Sequence, residues 1–152
     1  MTDVVKVASP AARAVLSQAT KIFPKRNKAS DGLLPSIEHQ KQNPNSDHNT
    51  GLAVDLTHDP ANGVNCPDFF QRLKTDARVT YLIHAGKIWS VARAKEGDRP
   101  YTGGNAHNHH LHISIREDKA NDVSSWFPWL EKPVAASADE AKGSADYQKG
   151  KK

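Results

Sequence analysis

The spacing of hydrophobic residues changes from a helical period to a strand period along the first half of the chain. Apolar positions recur every three or four residues over 10–22, which predicts an amphipathic helix, and Pro10 suits its first position. Over 51–57, apolar and polar residues alternate, which predicts a half-buried strand that carries Asp55 on the face away from the core. The segment between this helix and this strand is polar and long for a loop, and such loops are often functional.

The second half of the chain predicts several further short elements. In chain order these are a helix from Pro67, a hairpin of strands over 79–84 and 87–91, a polar loop over 94–108, a strand over 109–115 and a short helix over 121–129. This order indicates an α+β fold with a small central antiparallel sheet and flanking helices. We expect residues 1–132 to form one domain and the polar segment 133–152 to be a disordered tail, because that segment has too little apolar surface to bury.

Composition and charge narrow the class of protein without selecting one. The 152 residues are 37% hydrophobic and the mean hydropathy is −0.69, so we expect a modest core. A net charge of +4 favours an anionic partner such as a cell wall, a nucleic acid or a membrane surface. Cys66 is the only cysteine, which excludes an intrachain disulfide, and we expect it to be a small buried hydrophobic residue rather than a nucleophile.

Potential metal ligands lie in two separate segments of the chain. Strand parity places His110 and His112 on one face of the strand over 109–115, opposite its apolar residues. Pairing of that strand with the earlier one would bring Asp55 next to His112, and His48 in the preceding loop could complete the set. Two imidazoles and one carboxylate leave one position of a tetrahedral zinc ion open to water, which is the catalytic arrangement. The sequence therefore predicts a Zn²⁺ site formed by His48, Asp55 and His112.

The same residues carry a resemblance to a known family. Residues 46–55 read S-D-H-N-T-G-L-A-V-D, which resembles the S-x-H-x-x-G-x-A-x-D motif of the zinc peptidases that include D-alanyl-D-alanine carboxypeptidases, lysostaphin-like enzymes and the hedgehog signalling domain. The later run N-A-H-N-H-H-L-H, at 105–112, resembles a phage endolysin branch of these peptidases. The similarity covers about residues 10–130 and implies a fold like that of hedgehog and D-Ala-D-Ala peptidases, with His48, Asp55 and His112 as the zinc ligands.

The resemblance also implies roles for other residues. Many members place a glutamate three residues before the last ligand, where this chain has His109. The chain instead resembles members with a His-x-His ending, such as the penicillin-insensitive murein endopeptidases, which implies active-site roles for His110 and His107. Both are candidates for proton transfer or oxyanion stabilisation. Candidate substrate-binding residues, each equally consistent with a structural role, are Ser30, Asp31, Arg93, Arg99 and Tyr101. The histidines at 58 and 84 are expected to be ordinary exposed or hydrogen-bonded residues.

The activity implied by the resemblance is hydrolysis of a peptidoglycan stem-peptide amide bond by a zinc-activated water. We therefore expect a monomeric endolysin of a bacteriophage, with bacterial peptidoglycan as its partner and without nucleic-acid binding or membrane insertion. The first residues do not resemble a signal peptide, so we expect the protein to stay in the host cytoplasm before its release to the wall. Three alternatives remain open: a D,D-carboxypeptidase of the same fold, a metal-dependent nuclease suggested by the His-Asn-His run at 107–109, and a zinc-binding domain without catalysis.

Overall fold

Two helices and a five-stranded antiparallel sheet make up the regular structure of residues 7–33, 47–102 and 107–131, which are the residues that the computed structural model describes. This architecture confirms the predicted α+β class with a small antiparallel sheet. The predicted tail at 133–152 lies outside the described residues.

The elements follow the predicted order, and the bounds of most of them agree with the predicted ranges within two residues. The helices are α1, Pro10–Ile22, and α2, Cys66–Leu73. The strands are β1, Ala53–Thr57; β2, Val79–His84; β3, Lys87–Ser90; β4, Arg99–Pro100; and β5, His110–Ile115. In the sheet they lie in the order β1-β5-β2-β3-β4, so the last strand in the chain is inserted between the first two.

Side-chain caps and buried apolar residues account for both helices. The hydroxyl of Ser9 accepts a hydrogen bond from the amide of Ala12, which satisfies one of the unpaired donors at the start of α1. Asn65 caps α2 in the same way. Cys66, at the start of α2, is fully buried, and burial raises the pKa of its thiol to about 12. The expectation that this cysteine is a buried hydrophobic residue is therefore confirmed.

The alternation of the strands gives the sheet two chemically different faces. One face packs against both helices in a single hydrophobic core, which includes Val54, Leu56, Leu82, Leu111 and Ile113. The other face carries the polar residues of the same strands. The register of β1 and β5 places Asp55 directly opposite His112, which confirms that strand pairing brings these two residues together.

The predicted helix over 121–129 is wrong. The chain there has no α-helix; one short 3₁₀ turn, Glu117–Lys119, precedes this range, and another, Pro128–Leu130, lies at its end. The buried guanidinium of Arg78 stacks 3.6 Å from the ring centre of Trp126. It also donates hydrogen bonds to the backbone carbonyls of Asp122, Ser124 and Ser125. Since these carbonyls bond to a side chain from elsewhere in the fold, they do not take part in a helical ladder.

The polar loop predicted over 94–108 also contains a strand. Its residues Arg99–Pro100 form β4, which pairs with β3 at one edge of the sheet. Proline lacks an amide proton, so an edge position is the one it tolerates. Within the described parts of the chain, no helix has the length and hydrophobicity that crossing a membrane requires.

Candidate metal centre

Asp55 lies at the centre of a cluster of histidines on the polar face of the sheet. Its Oδ2 atom is 3.3 Å from Nε2 of His48 and 3.6 Å from Nε2 of His110, and its Oδ1 atom is 3.2 Å from Nδ1 of His112. One ligand atom from each of His48, Asp55 and His112 can be chosen so that all three lie within 4.8 Å of one another. The structure thus brings together the three residues predicted to bind zinc.

The separations of these atoms fit a small tetrahedral ion. Zinc–nitrogen and zinc–oxygen bonds of about 2.0–2.1 Å place the ligand atoms of a tetrahedral site about 3.3 Å apart. Nε2 of His48 is 3.3 Å from Oδ2 of Asp55, and Nδ1 of His112 is 3.2 Å from Oδ1, so each nitrogen lies at about that spacing from one carboxylate oxygen. Two neutral imidazoles and a carboxylate are also a donor set that zinc prefers. The residues present therefore fit a zinc ion.

Hydrogen bonds outside this set orient the two imidazoles. Nδ1 of His48 is 2.8 Å from the carbonyl oxygen of Leu33, and because a carbonyl only accepts, Nδ1 must carry the proton. In the neutral ring, Nε2 of His48 then has the lone pair, and this nitrogen is the one beside Asp55. Nε2 of His112 lies 2.8 Å from Oγ of Ser114, while its Nδ1 faces Asp55. Such partners fix the ring orientation of metal-binding histidines.

Two neighbours lower the pKa of the Asp55 carboxyl. Burial alone would raise this pKa, but hydrogen bonding and charge from His112 and His48 outweigh burial and hold it well below its usual range. Asp55 is therefore ionised at neutral pH, as a metal-binding carboxylate must be.

Gly32 sets the position of Asp55 from the open edge of β1. The two residues exchange backbone hydrogen bonds, with the Gly32 amide donating to the Asp55 carbonyl at 3.0 Å and the Asp55 amide donating back at 2.8 Å. A β-carbon at position 32 would lie 3.1 Å from Oδ2 of Asp55, closer than an ordinary van der Waals contact. A side chain at position 32 would therefore require the Asp55 carboxylate to shift by a few tenths of an ångström. This role could not be predicted from local sequence patterns, since the pairing of this loop with β1 is a tertiary contact.

A methyl group at position 32 should weaken metal binding. We expect Gly32→Ala to lower zinc affinity about 10–100-fold, the usual effect of disturbing a residue that orients a metal ligand. Competition with a fluorescent zinc chelator measures this change. Ala29→Ser, on the exposed part of the same loop, is the matched control and should bind zinc like the wild type. Equal affinity for Gly32→Ala and the control would show that this close approach does not matter.

The two histidines predicted to be catalytic, His107 and His110, lie beside the candidate metal ligands His48, Asp55 and His112. Burial is the largest influence on His110 and lowers its pKa despite the nearby Asp55 carboxylate, so the ring is neutral at pH 7. The ring of His107 is buried and stands edge-on to that of His110, with their centres 4.8 Å apart. Asp55, His107 and His110 form a second group whose potential ligand atoms lie within 4.8 Å of one another.

Two residues that the sequence did not single out for the site support these histidines. His84 is buried, and its Nδ1–H donates to the carbonyl oxygen of His110 at 2.9 Å, which is the hydrogen-bonded role expected for it. Burial also lowers the pKa of His84. The ring of Tyr81 stacks on His112 with centres 5.4 Å apart and planes 16° apart. His58 also has the expected hydrogen-bonded role, since its Nδ1 accepts from a backbone amide.

Asp31, a predicted substrate-binding residue, is bonded inside the fold. Its carboxylate accepts two hydrogen bonds from the buried guanidinium of Arg26, at 2.7 and 3.0 Å. It also accepts from the amide and the hydroxyl of Thr57, at 3.1 and 2.7 Å. Ser30 donates its backbone amide to the same hydroxyl. These bonds attach the loop that contains Gly32 to the end of β1.

Loss of the Asp31 carboxylate should therefore destabilise the protein. Asp31→Ala would leave the buried Arg26 charge unpaired, and we expect the free energy of unfolding in urea to fall by about 3–5 kcal/mol. Asp118→Asn, which removes an exposed ion pair with Arg116, is the control and should have little effect. Full stability of Asp31→Ala together with weaker substrate binding would instead support the predicted substrate role.

The other substrate-binding candidates lie at different distances from the cluster. The Tyr101 ring is edge-on to His107, with centres 5.6 Å apart. Arg99 is in register with Asp55 across the sheet, through His112, Ile83 and Ile88 on the strands between them. Four strand spacings, or about 19 Å, separate the two residues. Its Nε is buried without a hydrogen-bond partner among the described residues. Arg93 is exposed and paired with Glu96.

Fold and site together define a small α+β protein with a histidine–aspartate cluster suited to a metal ion. The chain belongs to the family described as VldE, C-terminal domain, whose model matches residues 6–112. The matched segment includes every residue of the cluster: His48, Asp55, His107, His110 and His112. No curated protein and no solved structure matches the chain.

Proposed function

We propose that the protein is a zinc-dependent endopeptidase that hydrolyses an amide bond in the stem peptide of bacterial peptidoglycan, as an endolysin does. The observation that carries this proposal is the close grouping of His48, Asp55 and His112 beside two further histidines, the buried His107 and the half-buried His110. A ligand set of this kind is typical of catalytic zinc. The substrate class comes from the resemblance of the two histidine-bearing segments to the phage peptidases.

Bound zinc would polarise the scissile carbonyl and lower the pKa of a water molecule, so that hydroxide is available as the nucleophile at neutral pH. The protein must then accept the proton of that water and return it to the leaving amine. His110 suits this task, because its ring is neutral and its Nε2 is directed at the metal set, 3.6 Å from Asp55. His84 holds the backbone of His110 in place, and His107 stands next to its ring.

The polar face of the sheet gives the substrate a surface to bind. Tyr101 borders the histidine cluster, and Arg99 lies farther along the same face. A guanidinium recognises a carboxylate with two parallel hydrogen bonds, so Arg99 is suited to an acidic group of the peptide. The net charge of +4 adds a general attraction to the anionic wall.

Digestion of purified sacculi tests the proposal. Zinc-loaded protein should release free amino groups from sacculi, and a chelator should stop the release until zinc is restored. Mass spectrometry of the released muropeptides would separate cleavage within the stem peptide from loss of a terminal D-alanine, which would indicate a D,D-carboxypeptidase. Intact sacculi under these conditions, together with nicking of plasmid DNA by the same preparation, would contradict the proposal and favour a nuclease.

A further inference from the structure

The Asp55 carboxylate faces two different groups of histidines. Its Oδ1 atom is next to His112, while its Oδ2 atom is within 3.6 Å of both His48 and His110. The groups His48–Asp55–His112 and Asp55–His107–His110 each satisfy the geometry of a three-ligand metal site and share only this carboxylate. Because Oδ2 lies beside one histidine of each group, His48 and His110, this carboxylate can bridge two metal ions, which in two-metal enzymes lie about 3.5–4 Å apart.

The second group has the chemistry of a metal site. Nε2 of His110 is buried and has no hydrogen-bond partner among the described residues, and it lies 3.6 Å from Oδ2 of Asp55. That separation is close to the about 3.3 Å expected between ligand atoms of tetrahedral zinc. The ring of His107, edge-on to that of His110, brings a second imidazole to the same place.

We propose that Asp55, His107 and His110 form a second metal position, bridged to the first by the Asp55 carboxylate. This position binds zinc more weakly than the first, because the two sites share a single negative charge and the ions repel each other. Filling it uses the nitrogens of His107 and His110 as ligands, so these histidines can no longer transfer protons. Excess zinc therefore inhibits the enzyme. Only this effect on activity rests on the proposed function.

Zinc titration of the full chain measures the stoichiometry directly. By isothermal calorimetry on metal-free protein, the wild type should bind two equivalents, the second at least tenfold more weakly than the first. His107→Ala should keep the tight equivalent and lose the weak one, and His109→Ala, with an exposed side chain two residues away, should keep both. A single equivalent in the wild type, or a weak equivalent that persists in His107→Ala, would overturn the proposal.

Cobalt(II) is a second probe that needs no variant. Two ions that share a carboxylate couple magnetically, so the electron paramagnetic resonance signal of the first equivalent should broaden when the second is added. Two independent signals would show that the sites are not bridged and would overturn the proposal.

Activity distinguishes this inference from the proposed function. Hydrolysis of sacculi should rise up to one equivalent of zinc and fall as the second site fills. Two coupled equivalents without any hydrolysis would refute the proposed function and leave the second site standing. Hydrolysis by a protein that binds only one equivalent would support the proposed function and refute the second site.

Discussion

Replacing His112 with alanine is expected to abolish tight zinc binding and most of the thermal stabilisation that zinc gives to the wild type. His112 is one of the three proposed protein ligands, and its ring lies buried between Asp55, Ser114 and the stacked ring of Tyr81. A ligand present at 100 times its dissociation constant stabilises a fold by about 2.7 kcal/mol. For a domain of this size, that corresponds to a rise in melting temperature of roughly 10 °C.

The measurement is the difference between the melting temperatures with zinc and with chelator, taken separately for each variant. This difference isolates the metal, because His112→Ala also leaves a cavity that lowers stability without zinc. His109→Ala is the matched control: it removes an exposed imidazole from the same histidine run and should keep the full zinc shift. If zinc raised the melting temperature of His112→Ala as much as that of the wild type, His112 would not be a metal ligand.

Replacing His110 with alanine is expected to leave the tight zinc equivalent in place and lower kcat on sacculi about 10²–10⁴-fold. General acid–base catalysis contributes a factor of this size. His110 lies beside Asp55 but outside the proposed primary set, so its loss should spare that zinc ion. The KM should change little, because the group acts in the transition state rather than in substrate binding.

Zinc content and hydrolysis must be measured on the same preparation of His110→Ala. Loss of both would mean that His110 helps to hold the primary metal, and unchanged hydrolysis would remove it from the chemistry. His109→Ala again provides the comparison, since it changes a histidine whose side chain points to solvent.

The grouping of the three candidate metal ligands could be predicted because they lie on or next to strands. A strand has only two faces, so the apolar residues of β5 identify the side on which His110 and His112 emerge, and Asp55 follows from β1 in the same way. Both helices could also be predicted from the local sequence pattern, since each begins with a capping side chain and a proline and buries a hydrophobic stripe.

The supporting residues could not be predicted because their roles depend on the sheet order. Tyr81 reaches His112, and His84 reaches His110, only because β5 is inserted next to β2. Gly32 acts through a loop that pairs with β1, and the local spacing of hydrophobic residues does not predict that pairing. The helix wrongly predicted over 121–129 failed for a similar reason, since a distant arginine takes the backbone carbonyls.

The position of the metal is the central claim, and anomalous diffraction at the zinc edge tests it most directly. Crystals of the protein loaded with one equivalent of zinc should show one dominant anomalous peak. It should lie about 2.0–2.2 Å from Nε2 of His48, Nδ1 of His112 and a carboxylate oxygen of Asp55. A dominant peak at other residues, or no peak in crystals of loaded protein, would contradict the account.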